Sequence, residues 1–144
     1  MRDVDVVIIS TGRAASTAVY QYLDTACGLN LPKNKEPHYW CDIYKFGGLH
    51  SVLKDIHISS STDYMDIYSR SRIVVDASVG CFFCLDEVIK RLKQEGQAPK
   101  IVFLYRDPVS RALSLFNEER KKGSTDASDV MADIKRDREP GLWW

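Results

Sequence analysis

The sequence has no excess of charge of either sign. Lys and Arg together number 20, as do Asp and Glu, so no bulk field draws the chain to nucleic acid or an anionic membrane. Any cation that matters must act locally. No apolar run is long enough to cross a bilayer, and no signal-peptide pattern precedes the first apolar segment. Cysteine is scarce: four in 144 residues, too few to staple a small secreted domain. Cys81-Phe-Phe-Cys84 has C-x-x-C spacing, but its apolar interior reads as buried thiols, and no second ligand pair follows at metal spacing. No metal is expected. These absences imply a soluble, cytoplasmic protein in a reducing compartment, without nucleic-acid or membrane partners. Repeats and low-complexity tracts are missing too, and 144 residues fit one domain spanning 1–144, long enough to bury a real core.

What is present alternates strand and helix. Val4, Val6, Val7, Ile8 and Ile9 form a nearly continuous β-branched run, the pattern of a parallel strand covered on both faces. Ser10-Thr11-Gly12 breaks it, and a helix is expected from Ser16, with Ala18, Val19, Tyr22 and Leu23 at helical spacing. A helix start offers unpaired N–H groups and the positive end of a dipole, so this loop is suited to an oxyanion. Arg13 adds a fixed charge, and Ser16 and Thr17 add hydroxyls. Residues 100–117 repeat the design. Ile101 to Tyr105 make a strand, and Asp107-Pro108 starts a helix with Asp as cap and Pro in the first turn. Further strands and helices are expected near 72–76, 82–95 and, more weakly, 126–138. Between 41 and 70, Ile43, Phe46, Leu49 and Leu53 mark one helix and Tyr64, Ile67 and Tyr68 another, capped from Ser59–Thr62. Such alternation implies a central parallel sheet with ligands at the carboxyl ends of its strands, where both loops fall.

The first loop is not a Walker A sequence, since G-x-x-x-x-G-K-[ST] does not occur; that argues against a P-loop kinase-like phosphotransferase. Its order, cation-x-x-[ST]-[ST] after a strand, resembles the 5′-phosphosulfate loop of the sulfotransferase family. Arg106-Asp107-Pro108-Val109-Ser110-Arg111-Ala112-Leu113-Ser114 is similar to that family's R-[ND]-P-x-x-R-x-x-S run. Singly, Arg106 reads as a surface cation and Ser114 as a neutral helix residue. Lys35-Glu36-Pro37-His38-Tyr39-Trp40 resembles the K-E-x-x-[FY]-[FW] segment of the carbohydrate- and heparan-type branch. Arg72 to Phe83 is similar to the strand and acidic turn before the second nucleotide-binding half, with Ala77, Ser78 and Val79 where heparan-type members often carry a lysine and a Thr-Pro pair. That substitution implies a lost contact. The four segments stand in the family's order across residues 5–123.

The resemblance implies a P-loop-like, three-layer α/β/α fold and a sulfotransferase that uses 3′-phosphoadenosine 5′-phosphosulfate without a metal. It places the 5′-phosphosulfate on Gly12, Arg13, Ala14, Ala15, Ser16 and Thr17, and the 3′-phosphate on Arg106 and Ser114. Glu36 is then the general base, Arg13 stabilises the leaving oxygen in place of the family's lysine, and Lys35 assists at the sulfate. His38 is a weaker base candidate, since a lone histidine beside Tyr39 and Trp40 is more often a packed ring. The acceptor is a hydroxyl of a carbohydrate, lipid or small molecule. Family members continue into another strand and a basic glycine-containing loop, whereas this sequence ends at Gly141-Leu142-Trp143-Trp144. A fragment, a compact variant and a homo-oligomer completed through the C-terminal end all fit that ending. A nucleotide-binding module that has lost catalysis is the alternative function, given Ala14, Ala15 and Ala77.

Overall fold

The computed structural model describes residues 2–41 and 57–121. These fall into two compact units: one holds the described residues up to Thr11 and from Ala15 to Leu104, the other Gly12–Ala14 and the described residues from Tyr105 onward. The expected helices over 43–53 and 126–138 lie outside the described residues.

The larger unit is built on a parallel sheet of three strands in the order β2-β1-β3, with β1 at Val6–Ser10, β2 at Val75–Asp76 and β3 at Lys100–Leu104. Val6 pairs with Val75 on one side and with Lys100 on the other, and Ser10 pairs with Leu104. Flanking β1 on both sides is what its β-branched run demands. Successive side chains point to opposite faces, and both faces of β1 are covered. Val7 and Ile9 belong to one buried cluster with Tyr39, Trp40, Tyr64, Tyr68, Val74, Val88 and Leu92. Ile8 belongs to a second with Tyr20, Leu31, Val75 and Ala77. Each fully buried aliphatic side chain of this kind contributes about 1.5–3 kcal/mol.

Helices supply part of both clusters. Helix α1, Ser16–Thr25, contributes Tyr20 to the second. Helices α2, Ser61–Ile67, and α3, Leu85–Gln94, contribute Tyr64, Val88 and Leu92 to the first. Ser60 caps α2 by accepting from the Asp63 amide at 3.4 Å, within the loop expected to cap it. A 3₁₀ turn at Val79–Phe82 precedes α3, so the helix begins three residues later than periodicity suggests. β3 reads like β1 in sequence but is exposed, with Ile101 and Phe103 at 50% and 54%. It stands at one edge of the sheet, and among the described residues nothing pairs with its far side. In the smaller unit, helix α4 runs over Pro108–Lys121, as the Asp-Pro start predicts. No helix among the described residues is long and apolar enough to cross a membrane.

Candidate functional site

β1 ends in a loop under backbone strain. Arg13 and Ala15 adopt positive φ angles of 66° and 67°, a region that costs a residue with a Cβ about 1–2 kcal/mol. Gly12 does not need its conformational freedom, but the space above it is open: an added Cβ would meet nothing within 4 Å. Ala15 is the N-cap of α1 and offers no side-chain hydrogen bond, so the first amides of α1 lack the usual side-chain acceptor. In the same unit, Ser10 Oγ and Thr11 Oγ1 are buried without a hydrogen-bond partner among the described residues. Ser16 is buried and Thr17 exposed. Uncapped amides and unpaired hydroxyls are donors available to an anion.

Arg13, Arg106 and Ser114 come together within the smaller unit. Arg13 Nε donates to Ser114 Oγ at 3.2 Å, and Arg13 Nη2 lies 3.5 Å from Glu118 Oε2. Arg106 Nη1 donates to the Arg13 carbonyl oxygen at 3.2 Å. The helix explains the pairing, because Ser114 and Glu118 are one turn apart on α4 and share a face. Asp107 fixes the helix start by accepting from the Ser110 amide at 2.9 Å. Hydrogen bonds from the Ser110 side chain and amide to the charged form hold the Asp107 carboxyl below its usual range.

Lys35 and Glu36 form a second cluster, in the larger unit. Lys35 Nζ pairs with Glu36 Oε1 and donates to the Ala77 carbonyl at 3.5 Å. Glu36 Oε2 accepts from the Val79 amide at 3.3 Å and has His38 Nε2 at 3.5 Å. The Ala77 amide donates to Lys35 O at 3.2 Å, and the His38 amide to Ser78 Oγ at 2.9 Å. Ala77, Ser78 and Val79, whose sequence implies a lost contact, therefore supply the cradle of Glu36, largely through main-chain atoms that any residue type carries. His38 is fully buried, as a packed ring would be. Its Nδ1 lies 3.5 Å from Cys41 Sγ, while Nε2 has no hydrogen-bond partner despite the nearby carboxylate. Burial lowers the pKa of His38, with Glu36 pulling the other way, so the ring is neutral at pH 7.

Behind this cluster stands a polar chain that sequence reading missed. Trp40 Nε1 donates to Tyr64 OH at 2.9 Å, and Tyr64 OH donates to Asp76 Oδ2 at 3.1 Å. Asp76 Oδ1 accepts from the Ser78 amide at 2.9 Å. Asp76 is completely buried at the end of β2, and burial pushes its carboxyl upward. The signal was an aspartate inside an apolar strand, Ile73-Val74-Val75-Asp76, which requires an internal partner. Outside the chain, Arg91 stacks 3.9 Å over the Tyr39 ring and donates from Nε to Glu95 Oε1 at 3.0 Å, bracing the 35–40 segment.

Among the described residues, no group of three or more His, Cys, Asp and Glu is disposed to hold a metal ion. Compared with family models, with curated proteins and with solved structures, the chain has no significant match to any.

Proposed function

We propose that the protein is a sulfotransferase that moves a sulfuryl group from 3′-phosphoadenosine 5′-phosphosulfate to an acceptor hydroxyl of a carbohydrate, lipid or small molecule. The observation that carries this reading is the meeting of Arg13 with Arg106 and Ser114, residues far apart in sequence that the family resemblance assigns to one nucleotide. Arg106 and Ser114 would grip the 3′-phosphate by charge-assisted bonds. Arg13 would exchange its present partners for the leaving phosphate oxygen, the role the resemblance gives it. The nucleotide supplies the sulfuryl group when bound. Glu36 would take the acceptor's proton, with Lys35 and the Val79 amide holding its carboxylate in place. The three-layer, P-loop-like arrangement is part of the proposal, and the covering of both faces of β1 supports it. So is a cytoplasmic setting.

A nucleotide-binding module without catalysis is the second reading. It is favoured by the engagement of both Glu36 oxygens within the protein.

Calorimetric titration with 3′-phosphoadenosine 5′-phosphate and with adenosine 5′-phosphate, each with and without a chelator, tests the nucleotide assignment. The bisphosphate should bind unaffected by chelator and far more tightly than the monophosphate. Arg106→Ala should cost on the order of 2 kcal/mol or more of that binding. Equal affinities for the two nucleotides would exclude the proposed site.

A further inference from the structure

A third cysteine joins the C-x-x-C pair. Cys41 ends the segment that carries Lys35, Glu36 and His38, and its thiol is fully buried. Its Sγ packs so tightly over Gly80 that a Cβ there would meet it at 2.8 Å and His38 Nδ1 at 3.0 Å. Only glycine allows that approach. From the other side, the Cys84 thiol donates to the Gly80 carbonyl at 3.4 Å. Cys41 also lies within electrostatic reach of Cys81 and Cys84. Three thiols from two distant segments thus meet around one glycine, and all are reduced. Thiols gathered in this way can exchange into a disulfide with one another.

We propose that Cys41 and Cys84 are a reversible oxidation site, converted to an intramolecular disulfide by a low-molecular-weight disulfide such as glutathione disulfide. Cys84 reacts first because it alone of the three is partly exposed, Cys41 and Cys81 being buried. Its sulfur attacks the oxidant, forming a mixed disulfide and releasing one glutathione, which leaves with the Cys84 proton. Cys41 Sγ then attacks Cys84 Sγ, the mixed disulfide breaks, and the second glutathione departs. The Cys41 proton passes through His38 Nδ1, 3.5 Å away, to that leaving sulfur. Two thiols are oxidised and one glutathione disulfide is reduced to two glutathiones. His38 beside Cys41 is what favours Cys41 over Cys81 as the resolving thiol. The new bond ties the segment bearing Glu36 to the cap of α3, two residues past the 3₁₀ turn whose Val79 amide already holds that carboxylate.

The full chain should be incubated with glutathione disulfide, alkylated, digested with trypsin and mapped without reduction. The expected product has lost two hydrogens and joins the peptide 36–45 to the peptide 73–90; dithiothreitol reverses it. The link should persist in Cys81→Ala and vanish in Cys84→Ala. As a second readout, the oxidised protein should melt several degrees above the reduced one, and Cys84→Ala should abolish the difference. Glutathione adducts without a cross-link, a loop closed within 73–90, or a link surviving in Cys84→Ala would each overturn the assignment.

Discussion

His38 is the buried side chain at which the carboxylate and thiol clusters meet. Beside Tyr39 and Trp40 it reads as a packed ring, which it is, yet both of its nitrogens face groups of chemical consequence, Glu36 and Cys41. Burial lowers its pKa from 6.5, so the folded chain binds that proton less readily than the unfolded chain does. Stability from this source is complete above pH 6.5 and is lost as the pH falls below it. Urea unfolding at a series of pH values should therefore show a smaller loss on acidification for His38→Gln than for the native chain. Parallel curves would mean that the ring's protonation is not linked to folding. Asp76 has the opposite sign, since its raised carboxyl pKa weakens the fold at neutral pH. Its position in an apolar strand was legible. Its partners Tyr64 and Ser78 were not, because those contacts depend on how separate segments pack.

Among the elements, the junction of β1 and α1 has the largest mismatch between residue type and backbone. Ala15 takes the left-handed conformation at φ 67° and ψ 18° as the cap of α1, a place where glycine pays no steric penalty. Ala15→Gly should raise stability by about 1 kcal/mol, the strain relieved less the added freedom of the unfolded chain. A higher urea midpoint with an unchanged slope is the measurement that checks it. Element type was legible wherever a local rule decides it: the β-branched run of β1, the Asp107-Pro108 start of α4, the serine cap of α2. Local rules say nothing of a strand's place in the sheet. β1 and β3 have similar sequences, but only the central strand is covered. The same limit hid the role of Ala77–Val79, whose contacts to Lys35, Glu36 and His38 include two main-chain amides and a carbonyl.

At the scale of the whole molecule, the chemistry divides into an arginine–serine cluster in one unit and a carboxylate cluster in the other. If the first binds the nucleotide and the second takes the acceptor's proton, binding and turnover should be separable. Glu36→Gln should leave affinity for 3′-phosphoadenosine 5′-phosphate nearly intact while lowering sulfuryl transfer to a hydroxyl acceptor by roughly a hundred- to ten-thousand-fold. Full turnover in the variant would move the base elsewhere. The order β2-β1-β3 bears also on how the molecule comes into being. The strand at the centre of the sheet is the first of the three in the chain, yet its partners are Val75–Asp76 and Lys100–Leu104. During synthesis, this apolar stretch leaves the ribosome long before either neighbour exists to hydrogen-bond with it. Its sheet closes only through contacts between remote positions, which slow folding and lengthen the time a sticky strand lies open. Until those partners arrive, the strand depends on whatever shields exposed Val and Ile in the cell.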